Sequence, residues 1–159
     1  MTGSVETAAA STGAATSWKL WCDGSAVPNP GRMGLGAVMR SDGGEEHTIS
    51  VLAEGRGCNN EAELRALMAA LHFLQQRGAT AIVAHTDNSI LVAQLGEAEA
   101  PPVVRLAPLF DEARALLRSF AAHRLVWLPR HRNQEADALA RAASGLVPKL
   151  PGQHKKHLT

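Results

Sequence analysis

Apolar and polar positions alternate at the start of the patterned chain. Trp18, Leu20 and Cys22 interleave with Lys19, Trp21 and Asp23, the period of a strand. Residues 34–40 (GLGAVMR) and 46–54 (EHTISVLAE) read as two more strands, and "SDGG" at 41–44 supplies the hairpin turn between them. The clearest helix spans 60–77. Its Leu64, Leu67, Met68, Leu71 and Leu74 make one apolar stripe, which Gly78 stops. Residues 80–86 (TAIVAHT) form a fourth strand, a short helix covers 88–95, and an acid- and proline-rich loop fills 96–102. A helix from 108 to 121 tolerates Pro108 in its first turn. "RLVWLP" at 124–129 is a fifth strand. Asn133 caps a last helix at 134–143, with Ala136, Leu139, Ala140 and Ala143 on one face. The order βββ-α-β-α-α-β-α predicts an α/β fold: a five-stranded mixed sheet with helices on both faces.

The bulk properties narrow the class. At 159 residues and 45% apolar, the chain can bury a real core in one domain, placed by the pattern at 17–145. Residues 1–16 are small and polar, without the basic and apolar regions of a signal peptide, and read as a disordered leader. Residues 146–159, with two prolines and a Lys/His cluster, read as a flexible tail. A formal charge of +1 excludes a strongly basic binder, although acids gathered in a site would offset basic residues elsewhere. Cys22 and Cys58 form no CxxC pair and read as free thiols of a reducing compartment, the cytoplasm. No apolar run approaches the roughly 18 residues that span a bilayer, so no membrane partner is expected.

Acids stand at element boundaries. Asp23 ends the first strand, Glu63 lies in the first turn of the first helix, Asp87 ends the fourth strand, and Asp137 lies in the first turn of the last helix. Each has a plain reading on its own. Asp23 before Gly24 suits a turn, Glu63 suits a helix start, Asp87 suits a cap on the short helix, and Asp137 complements a helix dipole. If they converge, two carboxylates at ~4 Å repel by roughly 4 kcal/mol at an effective dielectric of 20. Such a group must hold protons or bind cations. Hard oxygen ligands select Mg²⁺ or Mn²⁺, and four carboxylates suit two ions that activate a water and stabilise a leaving oxygen in phosphoryl displacement.

"DGSAVPNPG", "NNEAEL", "TDN" and "RNQEADALA" appear in the order of the four motifs of the type 1 ribonuclease H family, which the chain resembles over roughly residues 17–145. The resemblance implies a ribonuclease H-like fold and an endonuclease that cleaves the RNA strand of RNA–DNA hybrids with two Mg²⁺ ions. It assigns Asp23, Glu63, Asp87 and Asp137 to metal and catalysis, and makes Glu61 a decoy. It also implies that Asn29, Asn59 and Asn60 contact the hybrid near the scissile phosphate. Their amides can donate to and accept from 2′-OH groups, while small Gly24 and Ser25 let the backbone approach the sugar-phosphate chain.

The chain departs from the family at several positions. Cys58 stands where many relatives carry Thr ahead of the Asn pair, and a thiol is a poorer donor to phosphate. The aromatic, Lys-rich handle of some bacterial members is replaced by "GEAEAPPVVR". The His-bearing loop is short, with His131 six residues before Asp137. His131 serves proton transfer or product release, or else is an exposed loop residue with Arg130 and Arg132 contacting phosphate. Three functions are open at this point: a hybrid-specific nuclease, monomeric and without an obligate protein partner; a non-catalytic hybrid or double-stranded RNA binder on the same fold; or another metal nuclease of that fold, such as a junction resolvase or transposase, which would lack the "DGS…PG" plus "NNxxE" combination.

Overall fold

The computed structural model describes residues 16–96 and 103–145. Five strands form one sheet in the order β3-β2-β1-β4-β5. β1 (Ser17–Val27), β2 (Gly31–Ser41) and β3 (Glu46–Gly57) form an antiparallel meander, while β4 (Ala81–Thr86) and β5 (Ala122–Trp127) run parallel to β1. Among the described residues, four α-helices flank the sheet: α1 (Asn59–Gln76), α2 (Ser89–Leu95), α3 (Ala107–Arg118) and α4 (Gln134–Ala143). The element order and the mixed sheet agree with the sequence pattern.

The core lies between the sheet and α1. Leu64, Leu67, Leu71 and Leu74 of α1 are fully buried with Leu20 and Cys22 of β1 and Met33 and Met39 of β2. Phe110, Ala113 and Leu117 of α3 extend this core. Each such Leu contributes about 1.5–3 kcal/mol by leaving water. α4 takes the opposite face. Gly34 and Gly36 alternate with Met33 and Leu35 along β2, so they face away from the core. A Cβ on Gly36 would lie 2.5 Å from the backbone nitrogen of Ala140, which shows how closely α4 rests on β2.

Several boundaries differ from the sequence reading. β1 does not end at Asp23. It continues to Val27, paired with β2 down to Val27↔Arg32, whereas its parallel ladder with β4 stops at Trp21↔His85. Backbone pairing with β2 carries this extension through Gly24, Ser25 and Ala26, where small side chains hide the alternation. β2 likewise starts at Gly31 and β3 runs on to Gly57. α3 spans Ala107–Arg118 and β5 ends at Trp127, both earlier than read. Glu63 is the fifth residue of α1, beyond its first turn, where Glu61 stands instead. Neither Asn59 nor Asn60 caps α1: Cys58 does, its Sγ accepting from the Glu61 N–H at 3.5 Å. Asn133 occupies the cap position of α4 without making a side-chain cap bond.

The leader and tail expected at 1–16 and 146–159 lie outside the described residues, apart from Thr16, whose carbonyl accepts from Thr80 N at 2.8 Å. Most of the acid- and proline-rich loop, residues 97–102, lies outside them too. Among the described residues no helix is long and apolar enough to cross a membrane.

The contact between α4 and β2 involves backbone atoms that cannot rotate away. Gly36→Ala is therefore expected to destabilise the fold by about 1–3 kcal/mol through overpacking. Urea unfolding reads this as a lower midpoint. An unchanged midpoint would mean that α4 does not rest on the β2 backbone.

Candidate active site

Asp23, Glu63 and Asp87 meet at one end of the sheet, each offering a carboxylate oxygen within 4.8 Å of the others. Asp23 lies on β1 just past the last rung shared with β4. Gly24, its neighbour, explains why α1 comes so near: a Cβ there would sit 2.5 Å from Ala62 O and 2.6 Å from Glu63 N. The missing side chain lets α1 lie against β1 and brings Glu63 beside Asp23. The smallness of Gly24 is thus used by the helix behind it, a reason that sequence reading assigned to the sugar-phosphate chain.

Asp87 sits between β4 and α2 and is held at both ends. Its carbonyl accepts from Trp127 Nε1 at 3.2 Å, and its Oδ2 accepts from Asn133 Nδ2 at 3.1 Å. Asn88 follows and caps α2, its Oδ1 accepting from Ile90 N and Leu91 N. Asn133 also donates to Cys22 O at 2.9 Å. Both of its partners are acceptors, so the amide nitrogen must face them, and Oδ1 is left buried with no hydrogen-bond partner. Asn133 therefore pins Asp87 to β1. It is a site residue that the sequence shows only as a helix cap, because its type and position fit both roles.

Asp137, in the first turn of α4, is not part of the group of three. Arg141, one turn later, sets its Nε 3.2 and 3.1 Å from the two Asp137 oxygens. Asp137 and Arg141 nonetheless line the same open cavity as Asp23 and Glu63, a space of about 420 Å³ that Gly24, Ser25, Asn59, Arg130, His131 and Gln134 also border.

Burial and crowding make the acids reluctant to ionise. Burial, then the charges of Glu63 and Asp87 and contact with Asp137, pushes Asp23 up to about 9. Burial and the charge of Asp87 push Glu63 up to about 8, against the pull of Asn88 and Arg130. Glu63 Oε1 is buried with no hydrogen-bond partner. Cys22 adds no soft ligand: burial holds its thiol protonated, and it donates to His85 O at 3.6 Å. Hard oxygen donors, mutual repulsion and an orphaned carboxylate oxygen fit a divalent cation such as Mg²⁺ or Mn²⁺.

The remaining candidates surround this group. Glu61 is turned away from it and pairs with Arg65 at 2.8 Å. Asn59 Oδ1 accepts from Ala26 N at 2.8 Å, and Asn59 N donates to Asn29 Oδ1 at 3.1 Å. Asn60 Oδ1 accepts from Asn88 Nδ2 at 2.8 Å. These three side-chain oxygens are used within the protein, which fixes the amides in place. Ser25 Oγ lies 3.3 Å from Ser144 Oγ. His131 is exposed, in a short 3₁₀ turn (Arg130–Arg132) before α4. Cys58, the α1 cap, receives a hydrogen bond from Arg105 at 3.3 Å.

The raised acids set a direction for stability. In the folded state Asp23 and Glu63 keep their protons to about pH 9 and about pH 8, whereas in the unfolded chain they ionise near the ordinary value. The unfolded state then binds fewer protons, so stability falls as pH rises through this window. Thermal melts in chelator from about pH 6 to about pH 9 should show Tm decreasing, with a smaller decrease in Asp23→Asn. A flat profile common to both proteins would contradict the crowding of these carboxylates.

Known proteins share this frame. A family model described as "Reverse transcriptase-like" matches residues 21–143. The bifunctional protein Rv2228c of Mycobacterium tuberculosis is 36% identical over 126 residues, which cover 76% of this chain and 34% of that protein. The chain thus spans about a third of the length of that relative. The solved N-terminal RNase H domain of the same mycobacterial protein superposes with a TM-score of 0.75 at 31% identity, covering 82% of this chain and 94% of the other. A ribonuclease H of Pelobacter propionicus is 32% identical over 143 residues, covering 79% of this chain and 83% of that protein. LC11-RNase H1, solved in complex with an RNA/DNA hybrid, has a TM-score of 0.71 at 25% identity, covering 89% of this chain and 99% of the other. The family match over most of the chain, together with a relative matched across most of its own length, shows that this chain belongs to the reverse transcriptase-like, ribonuclease H-type family.

Proposed function

We propose that the chain is a metal-dependent endonuclease that hydrolyses the RNA strand of RNA–DNA hybrids, leaving 5′-phosphate and 3′-hydroxyl ends. The observation that carries this reading is the group formed by Asp23, Glu63 and Asp87, with its unpartnered Glu63 oxygen. The hybrid bound by LC11-RNase H1 supports the substrate class. Asp23, Glu63, Asp87 and Asp137 would hold two Mg²⁺ ions, whose chemistry is to activate a water and stabilise the leaving 3′-oxygen.

The chain's own residues supply position and specificity. Asn133 and Trp127 keep Asp87 facing Asp23. Among the described residues the Asn59 amide nitrogen has no protein partner, so it can donate to a ribose 2′-OH or a phosphate while its oxygen stays on Ala26. Asn29 and Asn60 flank it, and Gly24 and Ser25 form the nearby wall. Arg130 at the rim meets phosphate, and exposed His131 is free to carry a proton or assist product release. The framework 17–145 acts as the catalytic domain, as a monomer, and the free thiols Cys22 and Cys58 suit a reducing compartment such as the cytoplasm.

The test is a labelled RNA–DNA hybrid beside single-stranded RNA, double-stranded RNA and double-stranded DNA, each with Mg²⁺ and with EDTA. Cleavage of the hybrid RNA strand alone, abolished by EDTA, is expected. Binding of hybrid without cleavage at any Mg²⁺ or Mn²⁺ concentration would favour the non-catalytic binder. Binding rests mainly on phosphate contacts, so KM should rise steeply with salt.

The same assay separates the two nearby glutamates. Glu63→Gln and Asp23→Asn should each lower turnover by about 100-fold or more, exceeding the usual effect of losing a supporting contact to a metal ligand. Glu61→Gln should retain most activity, since it breaks only an ion pair with Arg65. A dead Glu61→Gln beside an active Glu63→Gln would overturn the assignment.

A further inference from the structure

We propose that Arg141 is a resident counter-cation of the site, which occupies Asp137 in the metal-free protein and sets how tightly the acids take a divalent ion. The proposal rests on the metal-binding reading above and goes beyond it. Asp23, Glu63 and Asp87 all lie close enough to one another to share one ion, whereas Asp137 stands outside that group and touches it through Asp23. What distinguishes Asp137 is Arg141, whose Nε reaches both of its oxygens.

This pair is unlike an ordinary helix-surface pair. An i,i+4 ion pair facing water contributes little and interferes with nothing. Here both side chains are largely covered, with 25% and 19% of their area exposed, and both line the cavity that holds Asp23 and Glu63. Arg141 makes no other ion pair among the described residues. A guanidinium on both Asp137 oxygens competes with any cation that would use them, and its charge opposes a divalent ion nearby. Full use of Asp137 as a ligand therefore requires Arg141 to leave it. The cavity offers Arg141 somewhere to go, since a phosphate entering beside Arg130 is an anion that a guanidinium binds well. Substrate phosphate and metal would then assist each other through one side chain.

The direction of the effect separates this role from a structural one. Loss of a merely structural contact loosens the site and weakens metal binding, whereas loss of a competing cation strengthens it. Mg²⁺ titration calorimetry on the full chain without nucleic acid is the measurement, with melting curves to establish folding. Arg141→Gln should tighten Mg²⁺ binding by about three- to tenfold, as expected for removing one nearby positive charge. Arg141→Lys, which keeps the charge, should stay within about twofold of wild type. In an Asp137→Asn background, Arg141→Gln should no longer tighten binding, because the seat for which it competes is gone. Equal or weaker Mg²⁺ binding by Arg141→Gln overturns the proposal, and so does undiminished tightening in the Asp137→Asn background. If wild type binds no Mg²⁺, the metal reading falls together with this one. If wild type binds and Arg141→Gln does not bind more tightly, only the role of Arg141 falls.

Discussion

Three carboxylates within 4.8 Å of one another are the constraint around which the rest of the structure is arranged. Each close pair of charges costs roughly 4 kcal/mol at an effective dielectric of 20, so the group cannot stay fully ionised alone. Burial, and after it this repulsion, pushes Asp23 and Glu63 up to about 9 and about 8, so protons relieve the group in the metal-free protein. A divalent cation relieves it better, because it attracts every member at once. The fold must hold the acids together against their repulsion until either arrives. Apolar burial of α1 against the sheet supplies the force, and the carboxylates go where packing sends them.

Two close approaches translate that packing into a site. Gly24 lets α1 lie on β1, which fixes the Asp23–Glu63 spacing. Gly34 and Gly36 let α4 lie on the opposite face of β2, and the turn before α4 delivers Asn133 to Cys22 and Asp87. Asn133 is the point where the two faces are joined. Its amide ties β1 to Asp87 across the place where the β1–β4 ladder has already stopped. Backbone pairing no longer holds the strand ends in register there, and a side chain takes over.

The element order and the sheet were legible because hydrophobic period depends on local sequence. Leu64, Leu67, Leu71 and Leu74 show their helix plainly, and all four are fully buried. The extension of β1 past Asp23 was not legible, since pairing with β2 holds Gly24, Ser25 and Ala26 in a strand without a side-chain pattern. Ordered motifs pointed to Asp23, Glu63 and Asp87. Asn59, Asn60 and Asn133 are all good caps by type, but only Asn133 holds a cap position, without a side-chain cap bond, and all three side chains make long-range bonds instead, to Ala26, Asn88 and Cys22 respectively. Cys58 then caps α1, although its type gives little hint of it. The Asp137–Arg141 pair was visible as an i,i+4 spacing, but spacing cannot tell that the pair faces a cavity of acids rather than water.

The formal charge of +1 conceals a sorted arrangement. Acids form the floor of the cavity, while Arg130 and Arg141 border it and Arg132 follows in the same turn. The proposed hybrid substrate is a polyanion that would have to bring its phosphates to carboxylates, and neither surface alone would allow that. Acids alone would repel the backbone, and arginines alone would bind it without chemistry. Under the proposed function, the arginines would hold the phosphates at the rim and the acids would hold the cations that offset the remaining repulsion. In that reading, recognition falls on the rim arginines and the amides held by Ala26 and Asn88, so that the groups that would bind the backbone stand beside the carboxylates.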